Sequence, residues 1–182
     1  MPLIDATGFK QNGFARMTEG CSLPAGDVIL PLEKLSTWRE EVFSRGDRVG
    51  VHLPNTARVD EVWPLLDDVA LVSIDFPSFA DGRGFSLARG LRQRGFFGVL
   101  RAFGPLIADQ MRHALGCGFD EVETPEAVIV RQPISQWRAA LETITLRYQR
   151  GAGNGLSILD RRRAAREMGH RRFHSGLALA RE

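Results

Sequence analysis

The sequence predicts an α/β protein of about five βα units around a parallel sheet, either half-barrel-like or a small open sheet. Three observations carry this expectation. Short β-branched or apolar runs alternate with helix-period segments from residue 28 to residue 149, the pattern that right-handed βαβ units produce. The run Val69–Phe76 is apolar on both strand faces apart from Ser73 and Asp75, which predicts a strand covered by helices on both sides. The chain has 182 residues, short of the ~250 that a full eight-unit barrel takes.

Residues 1–26 read as an irregular or hairpin entry, with Asn12-Gly13 as a turn that tolerates positive φ. Strands are expected at Val28–Leu30, Arg48–Leu53, Val69–Phe76, Gly98–Phe103 and Glu121–Thr124. Helices are expected at 32–45, 58–67, 84–95, 105–116 and 134–149. Gly95 sits where a glycine would end the third helix, and Gly104-Pro105 is expected to open the fourth. Asp81 and Ser86 compete to cap the third. RGAGNG (150–155) reads as a flexible joint. From Arg150 onward eight arginines face Asp160, Glu167 and Glu182, a net charge of +5 on a body of −3. The organisation is therefore an entry segment (1–26), an α/β domain (27–149) and a basic extension (150–182).

Apolar content of 43% and charged content of 25% suit a globular protein. A formal charge of +2 is too small to predict nucleic-acid binding. The basic residues are nearly all arginine, with lysine only at Lys10 and Lys34. MPLIDATGFKQNG does not have the layout of a signal peptide, and no run reaches the roughly 18 apolar residues of a membrane span. Cys21 and Cys117 are too few for a disulfide framework. The expectation is a cytoplasmic protein with reduced thiols.

Candidate site residues cluster in the turns after the strands at 69–76 and 98–103, because ligands of α/β sheets bind at strand carboxyl ends. In Asp81-Gly-Arg-Gly-Phe-Ser86 two glycines let the backbone approach a ligand, a helix start offers free amides, and Arg83 adds a forked cation. That set suits a phosphate, sulfate, sulfite or carboxylate; equally, Asp81 and Arg83 can pair and hold the loop. Arg101 can share a cleft with Arg83, and Asp109 can orient a guanidinium, act as a base, or brace the loop. These five residues, Asp81, Arg83, Ser86, Arg101 and Asp109, are the expected ligand-binding set.

Other chemistries find less support. Gly82-x-Gly84 is followed by Leu87, too large for the third position of a dinucleotide fingerprint. Cys117 falls at a helix end, where negative partial charge raises a thiol's pKa, so a structural role is expected. Glu167, His170 and His174 outline a metal site, but the surrounding arginines would repel a cation. No metal site is expected, and no cofactor can be assigned.

The segment FPSFADGRGFSLARGLRQRGFFGVLRAFGPLIADQMRHALGCGFD resembles a bacterial family of uncharacterised proteins described as oxidoreductases of sulfite reduction. The description arose because their genes lie beside those for sulfite reductase and adenylylsulfate reductase. The shared pattern falls on Phe76–Arg92, Leu100–Gly104, Asp109–Gln110 and Cys117–Asp120, within a likeness spanning about 25–150. One departure is Gly116, where the family carries arginine. The resemblance implies a place in assimilatory sulfur metabolism without demonstrating an activity, and no cysteine cluster or complete fingerprint supplies an electron carrier.

The leading expectation is an accessory protein of sulfite or sulfate reduction that binds a small oxyanion or sulfonucleotide at the strand carboxyl ends. Behind it stand a non-catalytic module that docks on a sulfur-pathway reductase, and third an enzyme of unknown reaction. Expected partners are a second copy of the chain, drawn by the apolar edges of a half-barrel, and sulfite-reductase or adenylylsulfate-reductase components.

Overall fold

The computed structural model describes residues 1–18 and 22–143, of which Met1–Leu141 pack as one unit. The strands are β1 (Leu3–Asp5), β2 (Gly8–Lys10), β3 (Ala15–Arg16), β4 (Val28–Pro31), β5 (Val49–Leu53), β6 (Leu71–Asp75), β7 (Val99–Phe103) and β8 (Glu121–Glu123). They form one sheet in the order β2-β1-β8-β7-β6-β5-β4-β3. From β3 to β8 every neighbour is parallel and sequential; β1 runs antiparallel to β8, and β2 folds back on β1.

Six helices occur among the described residues: α1 (Leu32–Ser44), α2 (Val59–Val62), α3 (Arg83–Gln93), α4 (Ala108–Cys117), α5 (Glu126–Arg131) and α6 (Ile134–Thr143). When consecutive parallel strands are neighbours and every crossover has the same hand, the helices fall on one face. The core shows this. Val51, Val72, Leu100 and Val122 of the strands pack in one cluster with Leu35 of α1, Leu91 of α3, Met111 of α4 and Trp137 of α6. The expectation of helices on both sides of β6 is thus corrected. Its other face carries Leu71, which packs with Phe14 and Ile29 in a small separate cluster, and then Ser73 and Asp75. The apolar run reflects a helix-covered face plus one buried residue at the foot of the other.

A helix-free face implies curvature, and the chain itself demands it. Laid flat, seven inter-strand steps would separate the edge strands β2 and β3 by about 34 Å. Yet Lys10 and Ala15 are five residues apart and cannot be more than about 18 Å distant. The sheet is curled into an open half-barrel, and residues 11–14 run as a strap between its edges.

Local details follow from sequence. The entry is a hairpin, but its turn lies at Asp5–Gly8, where the Asp5 carboxylate accepts the backbone N–H groups of Thr7 and Gly8. Asn12 instead accepts from the Phe14 N–H within the strap. Gly95 has φ +96 and ends α3 as expected, with Phe96 N–H reaching back to the Leu91 carbonyl. Neither Asp81 nor Ser86 is the capping residue of α3, which is Gly82; Asp81 receives the Arg83 N–H from one residue earlier. Helix α4 starts at Ala108, three residues later than expected. Gly104 has φ +136 and lies so close to the Phe76 carbonyl that a Cβ would stand 2.1 Å from it, so Gly104-Pro105 serves the strand exit. Helix α5 was not foreseen, and the basic extension 150–182 lies outside the described residues.

Candidate functional site

Strand alternation decides which side chains enter the concave face. In register across it stand His52 and Ser73, then Ser73 and Arg101, then Arg101 and Glu121. One layer nearer the carboxyl ends stand Asp75, Phe103 and Glu123. Below them Ile29, Leu71 and Phe14 form an apolar floor. The trough is therefore greasy at its base and polar towards the carboxyl ends of the strands.

Arg101 anchors the polar part. Its side chain is 2% exposed and its Nε donates to Glu121 Oε1 at 2.8 Å. Its Nη1 donates to Glu123 Oε2 at 3.1 Å and to Asn12 Oδ1 at 3.0 Å, which ties the strap to β7. Lys10 closes the far side, with Nζ 2.7 Å from Glu121 Oε2. Charges this deep must be matched, since truncating one partner of a buried pair costs about 3–5 kcal/mol.

Arg16 reaches into this network from the opposite edge of the sheet. From β3 its Nη2 donates to Ser73 Oγ on β6 at 3.1 Å and to Glu123 Oε2 on β8 at 3.0 Å. Its guanidinium lies 3.9 Å from the centre of the Phe103 ring, in cation–π range. Burial pulls the Arg16 pKa below its ordinary value, opposed by Glu123 beside it. Its Nη1 is buried and has no hydrogen-bond partner among the described residues. His52 Nδ1 lies 3.2 Å from Ser73 Oγ, and its ring meets Phe103 edge-on. Burial, and then the positive charge of Arg16, lower the His52 pKa, so the imidazole is neutral at neutral pH.

Of the five expected residues, only Arg101 belongs to this cluster. Arg83 is turned to Asp81, with Nε–Oδ1 at 3.0 Å and Nη2–Oδ2 at 2.6 Å. Its Nε and Nη2 are thus engaged within its own loop, and they hold the Asp81 carboxyl well below the usual range. The nearby glycine is explained by packing, because a Cβ on Gly84 would stand 2.5 Å from the Phe76 ring. Ser86 is exposed on α3, whose Leu87 and Leu91 join the helix-side core. Asp109 is exposed in the first turn of α4 and makes no ion pair among the described residues. Cys117 is buried beside His113, and burial raises its thiol pKa. Cys21 and the Glu167/His170/His174 group lie outside the described residues.

Sequence reasoning missed Arg16, His52, Ser73, Glu121 and Glu123. The alternation Glu121-Val122-Glu123 was the available signal, since it sends both acids to one face of a strand beside Arg101. No such signal marked Arg16, whose strand is two residues long.

A family model for bacterial proteins of unknown function, DUF934, matches residues 50–158. The chain belongs to this family. The matched stretch contains His52, Ser73, Asp75, Arg101, Glu121 and Glu123, while Lys10, Asn12 and Arg16 come from the preceding segment. No curated protein matches the chain. Among the described residues no group of three or more histidines, cysteines or acids is arranged to hold a metal ion. No helix among them is long and apolar enough to cross a membrane.

Proposed function

We propose that the protein binds a small oxyanion, or the anionic end of a sulfonucleotide, in the concave trough, as an accessory of sulfite or sulfate reduction. The observation that carries the reading is the buried Nη1 of Arg16 without a partner. A buried donor left unsatisfied costs roughly 1–3 kcal/mol, more when charged; an anion oxygen placed against it would recover that cost. His52 supports the reading, because its Nδ1 is engaged with Ser73 and its neutral ring leaves Nε2 to a ligand. Phe103 and the apolar floor lower the local dielectric, which strengthens a charge-assisted bond. The sulfur assignment comes from the family resemblance, and the trough supplies a chemistry compatible with it.

Titration calorimetry with sulfite tests the reading. Sulfite is expected to bind the full chain, and Arg16→Gln, checked for an unchanged far-ultraviolet spectrum, to weaken binding at least tenfold. Equal sulfite binding by wild type and a folded Arg16→Gln variant would remove Arg16 from the site, and the proposal with it.

A further inference from the structure

We propose that Asp75 makes the trough selective for singly charged oxyanions that carry a proton, such as hydrogensulfite and dihydrogenphosphate, against fully ionised sulfate. The inference rests on the oxyanion reading above and names the ligand class of that same site.

Donors alone do not discriminate, because an arginine N–H and an imidazole N–H serve any oxyanion. The discriminating group is an acceptor. Asp75 ends β6, two residues beyond Ser73 and therefore on the same face, in register with Phe103. It is half-buried, and its carboxylate makes no hydrogen bond or ion pair among the described residues. It nevertheless stands close enough to Arg16 and His52 to act on the charge of both. An unpaired carboxylate thus sits next to the two groups that would hold the anion.

The charge balance sharpens the point. Lys10, Arg16 and Arg101 face Asp75, Glu121 and Glu123, three cations against three acids, so the trough has no surplus charge to offer a dianion. A like charge beside Asp75 would be disfavoured. An oxyanion bearing a hydrogen converts that repulsion into a short O–H···O⁻ bond to Asp75, among the stronger hydrogen bonds available. Sulfate has no hydrogen to give at neutral pH and would set lone pairs against lone pairs. Sites built around a required hydrogen bond can reject analogues lacking it by factors as large as ~10⁴.

The test is calorimetry on the full chain at neutral pH and constant ionic strength with sulfite, phosphate and sulfate in turn. Sulfite and phosphate are expected to bind at least tenfold more tightly than sulfate. In Asp75→Asn, whose amide can donate, the gap is expected to close, with Asp75→Ser as the second variant should the first fail to fold. Sulfate binding within tenfold of the other two in the wild type overturns the inference and leaves the oxyanion reading standing. So does a full gap retained in a folded variant. Absence of binding by all three anions overturns the oxyanion reading itself, and the inference falls with it.

Discussion

His52 shows how one side chain couples the trough to pH. Its folded pKa is depressed by burial and by Arg16, while in the unfolded chain it titrates near 6.5. Below about that pH the unfolded state takes up a proton that the folded state refuses. Stability therefore falls as pH drops from 6.5 towards the folded value and levels off beneath it. Urea unfolding of wild type and His52→Gln at pH 7.5 and 5.5 measures this. The wild type is expected to lose more stability between the two pH values than the variant; equal losses would mean that another group carries the dependence. Asp81 contributes in the same direction at lower pH, since its depressed carboxyl pKa keeps the Arg83 pair intact until strong acid.

At the scale of elements, α4 carries an internal flaw. Gly116 lies within the helix, is exposed, and would give an added Cβ open space. Glycine in a helix interior is worse than alanine by roughly 0.5–1 kcal/mol. Gly116→Ala is thus expected to stabilise the protein by about that amount. Gly116→Arg should do at least as well, because a cation near a helix C-terminus is favoured. Chemical denaturation reads both variants, and a loss of stability in Gly116→Ala would show that the backbone here needs glycine.

Elements were also where the sequence spoke most clearly. The five central strands fall within two residues of their expected limits, because β-branched runs bounded by glycine, proline or aspartate leave little freedom. Helix starts were less legible: Gly104-Pro105 looked like a helix opening, but the +136° φ of Gly104 belongs to a strand exit. Of the residues in the candidate trough, Arg101 alone was among those expected from sequence. Asp81 and Arg83 carried the chemistry of an anion loop yet are satisfied by each other two residues apart, a local solution that spacing alone could not separate from a ligand site. Arg16 and Glu123 meet across 107 residues, and no local pattern reports a contact of that range.

On the scale of the whole molecule, the strap holds the curl. Phe14 is 8% exposed and covers Ile29 and Leu71 on the floor of the trough, two residues from Arg16 and two from Asn12. Truncating a buried phenylalanine costs about 3–5 kcal/mol, so Phe14→Ala is expected to destabilise the fold by an amount at the lower end of that range. Hydrogen exchange should then quicken at the amides of residues 12–16 before it does in β6. Uniform acceleration across the sheet would show that the strap does not open as a unit.

The pairing of β1 with β8 also fixes when the trough can exist during synthesis. The hairpin leaves the ribosome early, but its partner strand is made more than a hundred residues later, a wait of roughly 5–20 s at ordinary elongation rates. Through that interval the apolar side can assemble progressively, since each βα unit packs on the one before it. The polar side cannot, because Lys10, Arg16 and Arg101 all precede Glu121 and Glu123 in the chain. A nascent chain halted before β8 therefore has Lys10, Arg16 and Arg101 without the two acids that they pair with in the folded protein.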